Sequence, residues 1–269
     1  AERRRRINPR PTRVLAMWRA LAALFLASLV IWSPICSSEI RLEVSWDASS
    51  DPSESDDFAY GACVLGEYVY VVGLDKQPSG YDAQFRVEKR LRATGELVEE
   101  WTLNPTSRWD ALFDCTAVCG KVYAVGGCRW DILVLDEDLE LLEHASSARG
   151  VARSIASDGE YVYVAGWNCT GEADCWWRVE KRRACDLSPV EEYVSNPSRG
   201  RDVAYCVDLN PATGQLWGVG FHTVEEGGSP RWYWRVEVLD RDLRLVKVVE
   251  PGLEMYAASV AFDEEGNAY

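Results

Sequence analysis

From Phe58 onward apolar and polar side chains alternate every second residue in short runs, broken by glycine, aspartate or Thr-Gly. A period of two with turn residues at the breaks is the pattern of antiparallel strands joined by hairpins. The phrase LGEYVYVVG at Leu65–Gly73 returns as CGKVYAVGG at Cys119–Gly127, DGEYVYVAG at Asp158–Gly166 and TGQLWGVG at Thr213–Gly220. A second strand pair follows each, starting at Phe85, Trp130, Trp177 and Trp234 and turning at breaks such as Thr94-Gly95, Asp136–Asp138 and Asp240–Asp242. Each unit therefore reads as four antiparallel strands, a, b, c and d.

The hairpin glycines Gly73, Gly126, Gly166 and Gly220 stand 53, 40 and 54 residues apart. Four-stranded units at such spacings predict an all-β fold, a β-propeller of four-stranded antiparallel blades. One blade cannot bury both its faces, and stacking around an axis gives each the cover of its neighbours. Blades are expected over 57–104, 110–146, 150–195 and 202–250, with a partial fifth over 256–269. The chain stops inside that last hairpin, which predicts a longer protein. Residues 40–51 read as a lone d strand that closes the ring and hides its edges.

SVAFDEEGNAY near the end, SIASDGEYVYVAG in the third unit and the turn TGELVEE in the first resemble the β-propeller repeats of the SBBP type, found in exported proteins. The resemblance runs from Asp57 to Tyr269 and implies the propeller fold and export. It supplies no catalytic residues. The short second unit and the turns VCGKVY and DLNPATGQLW depart from the repeat.

The first residues follow other rules. MWRALAALFLASLVIWSPICSS from Met17 has a charged start, an apolar stretch and small residues, and predicts a secretory signal peptide over 17–38. Residues 1–16 read as upstream read-through or as a basic n-region, and 39–269 as the propeller. The protein is expected to be secreted or at the cell surface, touching membrane only through an uncleaved signal or an anchor beyond Tyr269. The leader holds seven Arg and one Glu, so its removal takes the net charge from −14 to −20. Such a surface repels nucleic acid and leaves an extracellular protein or glycan as the expected partner. No cofactor is expected, although a divalent cation suits the acidic surface. Three Gln, six Asn and two Met against abundant Glu and Arg give a thermophile-like bias.

Without Cys36 of the leader, eight of the nine cysteines remain, enough for four disulfides in an exported protein. Cys169–Cys175 would close the loop NCTGEADC, and Cys115–Cys128 could bridge one hairpin. With two His and no C-x-x-C, zinc is the weaker reading and no metal site is assigned. Asn168 in Asn-Cys-Thr is a glycosylation candidate.

Repetition separates scaffold from site. Phe85, Trp130, Trp177 and Trp234 recur, as do Arg86/Glu88, Arg178/Glu180 and Arg235/Glu237, so they read as packing aromatics and ion pairs. Varied b–c loops are better binding candidates, and they supply Tyr81, Trp167, His222, Glu225, Glu226, Arg231 and Trp232. Asp57, Asp114 and Asp202 open innermost strands, where they either ring the channel mouth or cap the d–a turns. No G-x-S-x-G or recognisable His motif points to a nucleophile, so no catalytic residue is assigned. The resulting reading is a non-enzymatic binding or assembly module; the alternative is a polysaccharide lyase or hydrolase using channel carboxylates.

Overall fold

Among the described residues four sheets of four strands follow one another, and in each the hydrogen-bonded neighbours are neighbours in sequence. The first blade contains β1 (Phe58–Leu65), β2 (Tyr68–Lys76), β3 (Ala83–Leu91) and β4 (Leu97–Leu103). The second contains β5 (Leu112–Val118), β6 (Lys121–Gly126), β7 (Asp131–Leu135) and β8 (Leu141–Ala145). The third contains β9 (Val151–Ser157), β10 (Tyr161–Cys169), β11 (Cys175–Arg183) and β12 (Pro189–Ser195). The fourth contains β13 (Val203–Leu209), β14 (Leu216–Glu226), β15 (Ser229–Leu239) and β16 (Leu245–Val249). All pairings are antiparallel, and no helix occurs among the described residues.

This computed structural model describes residues 44–269 except 54, 77–81, 148 and 172–173. The chain divides into Ala1–Val44 and Ser45–Tyr269, and the strands among the described residues lie in the second unit. The expected signal peptide, Cys36 and Tyr81 lie outside the described residues. Residues 44–50, read from sequence as part of a d strand, make no strand pairing. Trp46 instead donates from Nε1 to the Arg92 carbonyl at 2.9 Å.

Period-two alternation gives each blade two buried faces, and the core divides accordingly. Phe85 and Val87 meet Leu133 and Leu135 between blades 1 and 2. Trp130, Ile132 and Val134 meet Ile155, Val162 and Val164 between blades 2 and 3. Val179 meets Val207, Leu216 and Leu239 between blades 3 and 4. Val236 and Trp234 meet Val260 and Phe262 of the last segment, which forms a bridge between Phe262 and Ala268. The recurring aromatic therefore always faces the following blade. Phe85, Trp130 and Trp177 are fully buried, each adding about 2–3 kcal/mol of apolar burial.

The Arg-x-Glu positions face the other way, Arg178 and Glu237 toward Trp130 and Ser195 of the preceding blade and Glu88 toward Ser50. Arg86 Nε and Arg90 Nη2 pair with Glu88 at 3.0 and 2.6 Å. Arg178 and Arg182 clamp Glu180, and Arg235 Nε meets Glu237 at 2.7 Å. Their carboxylates are buried on the blade faces, and the same arginines reach across to Glu100, Glu192 and Glu250, so the pairs link strands as the alternation predicts. Burial pushes Glu88 upward, but hydrogen bonds from Ser50, Arg90 and Arg86 outweigh it and hold the carboxyl below its ordinary value. Arg178 also stacks over the Trp130 ring at 4.5 Å, joining two blades.

A further stitch recurs at one face. A residue in or just before each c strand bridges the link that enters the next blade or segment, at Ala83–Trp109, Arg129–Gly150, Cys175–Arg201 and Tyr233–Glu254. The b–c loops and d–a links therefore share that face.

Candidate functional site

The hairpin glycines shape this face. A Cβ on Gly73, Gly126, Gly166 or Gly220 would lie 1.8 to 2.0 Å from the carbonyl oxygen of Phe58, Ala111, Val151 or Val203. Real Cβ atoms never approach so closely, so only glycine lets the innermost strand cross here. Beside each glycine the inner strand carries a bulge, between Ala59 and Gly61, Leu112 and Asp114, Ala152 and Ser154, and Ala204 and Cys206. A bulge re-aims one extra side chain. The four extra residues are Tyr60, Phe113, Arg153 and Tyr205.

Their side chains converge. Tyr60 and Phe113 meet edge to face at 5.3 Å. The Arg153 guanidinium lies 4.3 Å from the Phe113 ring centre and 5.8 Å from that of Tyr60. Tyr205 contacts Trp167 at 6.2 Å, Tyr256 at 5.5 Å and Phe221 at 5.9 Å, and Phe221 stacks on Trp232 at 5.2 Å. Phe58 and Trp109 extend the first group. Phe58, Tyr60, Trp109, Trp232 and Tyr256 remain 40 to 53% exposed, so this surface offers aromatic faces to solvent.

Arg153 stands between the two groups and interacts electrostatically with Tyr60 and Tyr205. It forms no ion pair or hydrogen bond among the described residues. Burial pulls its pKa below the ordinary arginine value, and the neighbouring hydroxyls and Asp114 only partly offset this. Asp114 lies outside ion-pair distance because its oxygens are engaged. They accept from Cys115 N at 2.8 Å, Ser154 Oγ at 2.9 Å and Ile155 N at 3.0 Å. Burial raises its carboxyl despite these bonds. Ser154 continues the chain to Val207 N, and Cys206 continues it to Ser259, so one polar row links the inner strands.

The three aspartates thus do not share one place, and the grouping read from sequence is corrected. Asp114 lies four residues inside the corner that Asp57 and Asp202 occupy. The third corner residue is Asp110, which accepts from Thr106 N at 2.9 Å. Asp202 accepts from Ser198 N and Thr223 N, both at 2.9 Å, and Asp57 from Ser53 Oγ at 2.9 Å and Lys76 N at 3.0 Å. A Pro-Ser or Pro-Thr step four residues before each aspartate marks this corner in DPSESDD, NPTSRWD and NPSRGRD.

Trp167 and Trp232 join the aromatic surface. His222 and Glu225 line a separate polar recess of about 570 Å³ with Ser198, Thr223, Arg235 and Glu250. His222 Nδ1 lies 3.8 Å from Glu250 in this recess. Glu226 and Arg231 are occupied on the hairpin arm: Tyr233 donates to Glu226 at 2.7 Å, and Arg231 pairs with Glu254 at 2.5 Å. Tyr60, Phe113, Arg153 and Tyr205 are absent from the sequence-derived candidates. Three of them stand thirteen residues before Gly73, Gly126 and Gly166, an offset that marks the position once the bulge is known.

Cys169 and Cys175 form a disulfide. Asn168, on β10, accepts from the Cys169 amide at 2.9 Å. Cys115 and Cys128 stand apart, and the structure does not pair them. Cys115 points from the inner strand toward the Tyr70 carbonyl of blade 1, whereas Cys128 is exposed in the β6–β7 turn. Among the described residues no cluster of three His, Cys, Asp or Glu is arranged to hold a metal ion.

No family model and no curated protein matches the chain. Solved structures do match. The WD40 domain of Neurospora crassa Pan2 is 12% identical with a TM-score of 0.50, covering 77% of this chain and 57% of that one. A protein of unknown function from Bacteroides caccae is 14% identical with a TM-score of 0.51, covering 76% and 64%. The chain therefore spans less than two thirds of each neighbour, and the likeness establishes the β-propeller fold.

Proposed function

We propose that this propeller is a non-enzymatic binding module, exported or displayed at the cell surface, whose ligand is a glycan that presents a carboxylate to Arg153, a local cation in an otherwise acidic surface. The observation that supports the reading is Arg153, a half-buried cation without a carboxylate partner among the described residues, set between two exposed aromatic groups. Leaving a guanidinium desolvated and unpaired costs stability, and a bound carboxylate would offset that cost with charge-assisted hydrogen bonds. The flanking rings suit the flat apolar faces of sugars. The aspartates nearest the axis serve backbone amides and capping hydroxyls, which favours binding over acid–base chemistry. The SBBP-type repeat pattern and the stretch after Met17 support export.

A glycan array spotted with uronic-acid and matched neutral oligosaccharides tests this with the full chain and its Arg153→Met variant. The expected outcome is binding of acidic sugars by the wild type and its loss in the variant. Equal binding by both proteins overturns the site, and shortened or unsaturated sugar products overturn the non-enzymatic reading.

A further inference from the structure

At the opposite face, where the a–b and c–d turns lie, blade 2 meets blade 3 through two thiols. Cys119 Sγ stands 3.3 Å from Cys185 Sγ, although the residues are 66 positions apart. Both are exposed. The backbones that carry them are already docked. Lys121 Nζ donates to the Cys185 carbonyl at 3.2 Å, and the Tyr123 hydroxyl donates to the Ala184 carbonyl. The Ala184 amide donates to the Glu160 carbonyl at 2.9 Å.

Contacts to the c–d turn also form at the other interfaces without sulfur. Tyr70 donates to the Glu137 carbonyl between blades 1 and 2, and Lys181 to the Arg241 carbonyl between blades 3 and 4. The cysteines are thus not required for the turns to dock. Cys119 is also costly where it stands. It has φ of 52° and precedes Gly120 at 70°, in a two-residue hairpin turn that favours Asn or Asp before Gly. A side chain chosen against local preference, facing a second thiol across a preformed contact, has the geometry of a cross-link.

We propose that Cys119 and Cys185 form a disulfide that staples blade 2 to blade 3. The oxidant is a disulfide-bearing thiol reagent of the glutathione class. The Cys119 thiolate attacks one sulfur of that disulfide and releases one thiol, giving a mixed disulfide. The Cys185 thiolate then attacks Cys119 Sγ, forms the new bond and releases the second thiol. Two protein thiols are oxidised, one external disulfide is reduced to two thiols, and both protons leave with them. The sulfurs need to close from 3.3 Å to about 2.05 Å.

The test uses the full chain incubated with oxidised glutathione, blocked with N-ethylmaleimide and digested without reduction for mass spectrometry. The expected result is a peptide pair joined through Cys119 and Cys185, with Cys128 still alkylated and Cys169–Cys175 intact as the internal control. Reduction should then lower the thermal midpoint of wild type more than that of Cys119→Ser. Full alkylation of Cys119 and Cys185, arrest at a glutathione adduct, or joining of either residue to another cysteine overturns the proposal without needing any variant to fold.

Discussion

Gly166 lies against the carbonyl oxygen of Val151, so close that a methyl group on its Cα would sit 1.9 Å from that oxygen. The obstacle is backbone, which a side-chain rearrangement cannot relieve. Gly166→Ala should therefore destabilise the chain by about 2–3 kcal/mol, at the upper end of overpacking penalties. Gly218→Ala is the control, because its new Cβ would meet the Trp177 ring at an ordinary 3.5 Å, and it should stay within about 0.5 kcal/mol. Denaturant midpoints of the two variants check this, and equal midpoints would contradict the crossing geometry.

Arg153 carries charge without an ion pair among the described residues, so its removal should not harm the fold. Arg153→Met keeps a flexible apolar stem against Phe113 and Tyr60 and should be neutral or stabilising, within about 1 kcal/mol. A loss above about 2 kcal/mol in a urea titration would make the arginine a structural residue.

Glu88 has the opposite character. Glu88→Gln leaves Arg86 and Arg90 buried without their shared carboxylate and should cost about 3 kcal/mol at neutral pH. The folded carboxyl sits below its ordinary value of 4.5, so its contribution is complete above that value and disappears as pH falls through the folded one. Wild-type and Glu88→Gln stabilities should therefore converge below about pH 4.5, as read by urea unfolding across pH. Parallel curves would show that the ion pairs contribute nothing.

Asp114 should shift in the reverse sense. Its folded carboxyl sits above the ordinary 3.8, so its stabilising contribution is complete below that value and is lost as pH rises through the folded one. Relative to Asp114→Asn, the wild type should gain stability as the solution is acidified. Asp114→Ala strands the Ile155 amide and should cost about 1–3 kcal/mol at neutral pH.

Asp202→Asn separates a corner from a catalyst. The amide keeps an acceptor for Ser198 or Thr223, so the midpoint should fall by about 1 kcal/mol and sugar binding should remain. Loss of binding in a variant that retains its fold would return the channel carboxylates to the site.

The architecture was readable because repetition reveals scaffold: Trp130, Trp177 and the hairpin glycines recur at matching places and have matching packing roles. The site was less readable, since a bulge leaves no residue of its own. Arg153 is one polar residue in VARSIAS, and only the pairing of Ala152 with Gly166 shows that it is the extra one. The aspartates misled for a related reason. Asp114 looks like Asp202 in a linear alignment, but the bulge and the Pro-Thr corner put Asp110 in that role. Spacing records only local closeness, so it reveals Cys169–Cys175 but not Cys119, which meets a residue one blade away.

Each apolar cluster among the described residues joins a sheet to the stretch of chain that follows it, and the c strands are tied to the links that follow them. A ribosome releasing this chain would thus expose one unfinished face at a time, and each newly made meander would find its template already waiting. Assembly of that kind runs from the amino end like a row of tiles, with little need for distant segments to search for one another.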